Sequence, residues 1–430
     1  MLLRFGCSNH LSIREFQEIS LLAPTKLSKK KDNLLEVAGS KFKALRSSAI
    51  YGANASGKSN FIKSIVFMRH MVMNSHARFL PDQEINNTTF MLDNESLAAP
   101  SQFECDFVNE GIRFSYGFTI LNHKILNEYL YAFPQGHKQT WFSRDEGDQK
   151  NKKFYFGSQL KGRNALISDL TRSNSLFLSA AAQQNHEQLA PVYGYFDRLI
   201  SSNIAFGEHP QSMITDMLEG NRRKWVLEFL RGADTGIFDA SVQTRDVPEE
   251  IKRFEELLTS SWKKSDLNTK STLELKVDNR EISFGHLSNS NSLVFLPYAA
   301  ESAGTRRMLE LLASMIHSLD RGGLAVIDEI DASIHTLVAS KLVDLFNKSE
   351  INTKSAQLLF TTHDTNLLCN GTMRREEIWF AEKNSKGETH IYPLSDYQLR
   401  EGDNVEKGYL QGRFGAIPFF GNIGDLETTE

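Results

Sequence analysis

The sequence predicts an α/β fold: a parallel core sheet that carries an antiparallel β lobe and a mainly helical insertion. Three observations predict it. A glycine-framed loop, Gly52-Ala53-Asn54-Ala55-Ser56-Gly57-Lys58-Ser59, joins the apolar run Ala49-Ile50-Tyr51 to the helix-like run Phe61-Ile62-Lys63-Ser64-Ile65-Val66. Two later apolar runs, Leu324-Ala325-Val326-Ile327 and Gln357-Leu358-Leu359-Phe360-Thr361-Thr362, end in acidic or histidine residues, as strands buried on both faces of a parallel sheet do. Between loop and runs the apolar period changes, first to two and then to helical spacing.

Taken in order, residues 2–22 alternate loosely around the turn signal Asn9-His10 and predict a β-hairpin, one able to cover a base. The lysine-rich stretch 26–32 reads as a solvated loop. The helix after the glycine loop is expected to run to about Arg78, followed by a polar linker at 81–87. Residues 101–107, 112–120 and 126–131 alternate at period two, separated by Asn109-Glu110-Gly111 and Asn122-His123. This is the pattern of an antiparallel meander, which Phe142 and Phe154-Tyr155-Phe156 would extend, and its alternating aromatics read as core. From about Ser158 to Asp266 helical spacing returns, with Asn221-Arg222-Arg223-Lys224-Trp225 read as a solvated helix start. Leu273-Glu274-Leu275-Lys276-Val277 and Glu281-Ile282-Ser283-Phe284 suggest a hairpin around Asp278-Asn279-Arg280. The expected domains are 1–157, 158–283 and 284–430.

The loop fits G-x-x-x-x-G-K-[ST], and its chemistry dictates its composition. Gly52 and Gly57 let successive N–H groups converge on one anion, and the following helix adds its N-terminal dipole. Lys58 is expected on the β/γ-phosphates and the Ser59 hydroxyl on Mg²⁺, with Asn54 and Asn60 completing a site for ATP. Asp328, at the carboxyl end of its strand, would hold the Mg²⁺ shell, and Glu329 would activate the attacking water. His363, at the end of the second run, lies where ligands bind in open parallel sheets and is expected to sense the γ-phosphate. Upstream, Glu301-Ser302-Ala303-Gly304-Thr305-Arg306-Arg307 opens the apolar helix 308–316, a second anion-binding device to which Ser302 and Gly304 belong.

Composition sets bounds on this. A chain of 430 residues with 40% hydrophobic and 24% charged residues has the balance of a globular protein with a sizeable core. A net charge of -4 argues against a wholesale electrostatic hold on nucleic acid. Cys7, Cys105 and Cys369 are widely spaced and form no C-x-x-C pair, so neither a zinc site nor a disulfide framework is expected, and a reducing cytoplasm fits. Neither a signal-peptide layout nor a membrane-length apolar run is seen.

The order of phosphate loop, serine/glycine loop, Asp-Glu strand and Thr-His strand resembles the ATPase heads of the ABC class, in the subgroup of chromosome-maintenance and RecF/Rad50-like proteins. More narrowly, Ile327-Asp328-Glu329-Ile330-Asp331-Ala332-Ser333-Ile334-His335, Thr361-Thr362-His363-Asp364 and the tail from Gly408 to Pro418 resemble the AAA-type core-domain ATPases of bacterial phage-defence operons, the RloA-like proteins and the ATPase subunit of PARIS-type systems. The resemblance implies an ABC-type fold with Ser302 and Gly304 in the signature loop, although Glu-Ser-Ala-Gly-Thr departs from Leu-Ser-Gly-Gly-Gln. It places 333–335 in the dimer-contacting D-loop and makes His363 the switch histidine. Gln83 and Gln102 are candidates for the glutamine that couples the lobes.

Because the signature loop of one subunit caps the nucleotide of another in such heads, the resemblance implies a homodimer or higher homo-oligomer. It also implies an effector protein, a nuclease or toxin from the same operon, and a phage protein as trigger, with no membrane partner. The segment after His363 is too short for a nuclease domain of typical size, roughly 100–150 residues. The competing expectation is a RecF/Rad50-like repair ATPase that clamps nucleic acid, which would show ATP-dependent DNA affinity with a steep salt slope.

Overall fold

The computed structural model describes residues 1–24, 34–37, 42–147, 153–201, 210–244, 280–369, 373–400 and 402–418. The described chain divides into two compact units, 1–204 with 318–430, and 205–317.

The first unit is built on two large sheets, beside a small one of Leu34–Glu36 and Lys43–Leu45. The six-stranded sheet runs Leu199–Ser201, Leu324–Ile327, Gln357–Thr361, Ser47–Tyr51, Ile378–Lys383 and Thr389–Pro393. Its first five strands are parallel, and the last is antiparallel to its neighbour. Every residue of the strands Ser47–Tyr51, Leu324–Ile327 and Gln357–Thr361 is buried, which is why their sequences read as continuous apolar runs instead of alternating. The hairpin of Ile378–Lys383 and Thr389–Pro393 was not foreseen: Ile-Trp-Phe-Ala is short and followed by Glu382-Lys383 without any motif.

The seven-stranded sheet is antiparallel throughout and orders Phe154–Phe156, Gln139–Asp145, Lys124–Phe133, Ile112–Leu121, Ser101–Asn109, Leu2–Ser8 and Gln17–Ser20. The expected hairpin and meander are both present, and they join, because Phe5 and Cys7 pair with Cys105 and Phe103. One face carries Phe103, Phe107, Phe118 and Phe142 into a core shared with the helix Lys58–Asn74, which contributes Phe61, Ile62 and Ile65. The aromatics of the meander are thus core, as alternation required.

The helix ends at Asn74, four residues short of the expected Arg78. Its last side chain explains the difference. Asn74 Nδ2 donates to the His70 carbonyl at 3.1 Å, competing with continued helix. Arg172 then takes the carbonyls of Ser75, His76 and Phe79 at 2.9–3.2 Å, so the chain leaves the helix with its acceptors satisfied. Glu128, buried in the meander, fastens the short helix Phe177–Gln183 by accepting the N–H groups of Phe177 and Leu178 at 2.6 and 3.0 Å.

In the second unit the helices Pro210–Glu219 and Arg223–Gly232 pack on a three-stranded antiparallel sheet of Ile237–Thr244, Arg280–Leu287 and Leu293–Pro297. The expected hairpin partner at 273–277 lies outside the described residues. Arg280 is a strand residue and not part of a turn, and its strand pairs with Ile237–Thr244 and Leu293–Pro297. The α/β class expected from sequence, a parallel core sheet that carries the glycine loop together with an antiparallel lobe, is the fold observed, while the unit 205–317 adds a three-stranded sheet to the helices expected there.

Candidate functional site

The strand Ser47–Tyr51 delivers the glycine loop to the carboxyl edge of the parallel sheet. Gly57 sits at φ 104° as the N-cap of the helix Lys58–Asn74, a conformation open to glycine and strained for other residues. A Cβ there would also strike the Thr389 side chain. The helix start has no side-chain cap and no acidic residue in its first turn, so its first amides are available to an external anion. The buried Ser56 hydroxyl has no hydrogen-bond partner among the described residues. These features fit a phosphate group.

Lys58 is buried and folded across its own loop, its Nζ donating to the carbonyls of Gly52 at 2.8 Å and Ala53 at 3.0 Å. Burial lowers its pKa from the ordinary lysine value, and the opposing carboxylates Asp328, Glu329 and Asp331 only partly offset this. A phosphate would supply the negative charge that the ammonium lacks. Asn54 is exposed at the loop tip. Asn60 points elsewhere: its Nδ2 donates to Ser12 Oγ at 2.7 Å.

Ser12 belongs to a latch that no sequence motif announced. Its hydroxyl lies 2.8 Å from Thr389 Oγ1, and Thr389 in turn donates to the Ser56 carbonyl at 3.0 Å. The N-terminal hairpin connection and the strand Thr389–Pro393 therefore hold the loop from behind. Beside Asn60 lies an open groove of about 250 Å³, lined by Leu11, Phe90, Met91, Leu92 and Lys383 among others. Its lining mixes these side chains with the polar Ser12, Asn60, Thr88 and Thr89.

The neighbouring strands bring the carboxylates in. Ser59 Oγ donates to Asp328 Oδ1 at 3.1 Å across a separation of 269 residues. Thr361 Oγ1 reaches the same oxygen at 2.6 Å and accepts the Glu329 N–H at 2.7 Å. Glu329 is exposed with φ 52°, a left-handed backbone that costs a residue with a Cβ roughly 1–2 kcal/mol. His363 stands at the rim, its amide donating to the Asp331 carboxylate at 3.3–3.4 Å. Its pKa is lowered from the ordinary histidine value, by burial first and by Lys58 next, against the pull of Asp331, Glu329 and Asp328. Among the described residues no group of three or more His, Cys, Asp or Glu could hold a metal ion unaided. Ser59 and Asp328 are a hydroxyl and a carboxylate, hard oxygen donors of the kind Mg²⁺ takes when phosphate oxygens and water complete its shell.

Ser302 and Gly304 belong to the other unit and are described by themselves. Ser302 is exposed, and its Oγ accepts the Thr305 N–H at 3.0 Å, capping the helix Ala303–Arg321. Glu301 just before it is buried and bonded to His286 at 2.7 Å. Of the two glutamines, Gln83 accepts the Leu80 N–H at 2.8 Å and Gln102 donates to Glu104 at 3.0 Å. Both are engaged locally. Thr361 could have been found from the Thr-Thr-His run; Ser12 and Thr389 carry no such signal.

None of the curated proteins matches this sequence. Among solved structures the chain is similar to the SMC head domain from Thermotoga maritima, at 13% identity over 93% of this chain and 99% of that one, with a TM-score of 0.38. It is also similar to an SmcHead bound to the C-winged helix domain of ScpA, at 13% identity over 95% and 99% of the chains and a TM-score of 0.39. A third is an Smc head domain with an extended coiled coil, bound to the C-terminal domain of ScpA and derived from Pyrococcus furiosus, at 12% identity over 92% and 97% and a TM-score of 0.37. At these scores the likenesses decide nothing about this chain. The family described as "AAA domain, putative AbiEii toxin, Type IV TA system" matches residues 47–370, a span that runs from the phosphate-loop strand past His363, and the chain belongs to that family.

Proposed function

We propose that this chain binds Mg²⁺-ATP at the glycine loop and hydrolyses it to ADP and phosphate, as an ATP-gated switch made of two copies. The observation that carries the reading is the meeting of Ser59, Asp328, Thr361 and the Glu329 amide at one sheet edge. In this reading the phosphates draw Lys58 off the Gly52 and Ala53 carbonyls and take the first-turn amides. Ser59 and Asp328 would hold Mg²⁺, which when bound would neutralise charge developing on the phosphate oxygens. Glu329 orients the attacking water and receives its proton, and a neutral His363 donates a hydrogen bond toward the γ-phosphate.

The second copy enters through Ser302 and Gly304. The exposed cap of the helix Ala303–Arg321 lacks an acidic first-turn residue, and Arg306 and Arg307 stand near this N-terminus, against the dipole preference. A phosphate reaching that end from another subunit would offset both. The state closed around two nucleotides would then control an effector protein, a nuclease or toxin, in anti-phage defence, with a phage protein as trigger. ATP shifts the closed-to-open balance only by its differential affinity for the two states. Steady-state ATPase assays of the wild type, Lys58→Ala and Glu329→Gln test the reading. Turnover by the wild type, nucleotide affinity weakened by roughly two orders of magnitude in Lys58→Ala and binding without turnover in Glu329→Gln are expected. Wild-type turnover by Glu329→Gln would contradict the role given to that carboxylate.

A further inference from the structure

We propose that Thr361 is a positioning residue whose one hydroxyl fixes the Asp328 carboxylate and the Glu329 backbone, so that metal capture by Asp328 and water orientation by Glu329 depend on it together. The inference rests on the Mg²⁺-ATP reading and adds a residue to it.

The direction of the hydrogen bonds follows from valence. Thr361 Oγ1 accepts the Glu329 amide at 2.7 Å, and an ionised carboxylate only accepts. The hydroxyl hydrogen therefore goes to Asp328 Oδ1, 2.6 Å away, giving a relay from the Glu329 N–H through Thr361 to Asp328. Ser59 donates to the same oxygen at the longer distance of 3.1 Å. The Thr361 carbonyl also accepts the Ile330 N–H at 3.0 Å. One residue thus holds three consecutive positions, 328, 329 and 330, where the chain turns to φ 52° at Glu329. A left-handed non-glycine residue persists when its surroundings fix it. Thr361 can fix it because its own strand is buried between Leu324–Ile327 and Ser47–Tyr51, and its β-branched side chain has restricted χ1.

Removing the hydroxyl leaves the Glu329 amide without its acceptor and releases one constraint on the Asp328 carboxylate plane. The glycine loop and Lys58 are untouched, so phosphate binding without metal should survive. This separates Thr361 from a residue that merely supports the fold. Neighbouring Thr362 provides an internal control, since its hydroxyl caps the Asp364 amide at 3.0 Å and, among the described residues, is bonded neither to the Asp328 carboxylate nor to the Glu329 amide.

The experiment measures equilibrium binding of the non-hydrolysable analogue AMP-PNP, with Mg²⁺ and with EDTA, and steady-state hydrolysis of ATP. Thr361→Val keeps the shape and loses the hydroxyl; Thr361→Ser keeps the hydroxyl. Thr361→Val is expected to bind the metal-free analogue as the wild type does, to lose about tenfold of the Mg²⁺-dependent gain in affinity, and to lose about tenfold in kcat with a smaller change in KM. Thr361→Ser and Thr362→Val should stay near wild type in both assays. If Thr361→Val retains the full Mg²⁺ gain and kcat, or if Thr361→Ser is as impaired as Thr361→Val, the proposal is wrong. Thr361→Ala, smaller and read against Thr361→Ser in the same way, replaces a valine variant that does not fold. A wild type without Mg²⁺-dependent analogue binding would overturn the nucleotide reading itself, whereas a binding wild type with an indifferent Thr361→Val overturns this inference alone.

Discussion

Lys58 spends its charge on two backbone carbonyls while burial disfavours that charge. Phosphate should therefore raise its pKa, and binding should take up protons at alkaline pH. ATP affinity is expected to fall as pH rises into that range, and calorimetry in buffers of different ionisation enthalpy would detect the uptake. Lys58→Ala removes a charge-assisted contact of about 2–3 kcal/mol, roughly 30- to 150-fold in affinity, and should abolish the proton uptake as well. His363 works in the opposite sense. Its folded pKa lies below the ordinary 6.5, so its protonation opposes folding, and the stability that it contributes falls as pH drops below about 6.5. An NMR titration should place its midpoint below 6.5 and move it upward in Lys58→Ala, where the repelling cation is gone. An unmoved midpoint would show that the two groups do not sense each other.

At the scale of elements, the glycine loop depends on what stands behind it. Gly57→Ala combines a positive φ with a collision against Thr389, and should cost about 1–3 kcal/mol in urea unfolding. The antiparallel lobe depends on its aromatic face. Phe142 is fully buried and meets Phe177 edge-on at 4.8 Å, so Phe142→Ala should destabilise by about 3–5 kcal/mol. These elements differ in how far the sequence reveals them. Phe103, Phe107 and Phe118 alternate with polar residues and mark their strands locally, as the run Leu324–Ile327 marks a strand buried on both sides. The Ser12 to Thr389 contact joins residues 377 apart, and local spacing carries no trace of such a bond. Asn60 shows the same limit. Its place after Ser59 suggested a ligand contact, while its side chain bonds Ser12. The helix stop at Asn74 was hidden because it depends on Arg172, nearly a hundred residues on. Thr361 was legible as a motif residue, but its double hydrogen bond emerges only when two parallel strands end side by side.

At the scale of the molecule, the AAA-domain family match spans the phosphate-loop strand through His363, and no helix among the described residues is long and apolar enough to cross a membrane. The cooperative claim is the one with most at stake: each copy lends Ser302 and Gly304 to a nucleotide that another copy grips with Lys58. Ser302→Arg should leave ATP binding intact and block turnover; loss of the cap itself should cost only about 1 kcal/mol of stability. Salt-titrated DNA binding with and without ATP would separate this switch from a nucleic-acid clamp, whose affinity would rise with ATP and fall steeply with salt. The most direct measurement mixes two inactive chains, Lys58→Ala and Ser302→Arg, and assays ATP hydrolysis. Together they can assemble one intact site, with Lys58 from one chain and Ser302 from the other, so the mixture should regain part of the wild-type rate that neither has alone. Full activity of Ser302→Arg by itself, or a mixture that stays inactive while both chains fold and associate, would contradict the account.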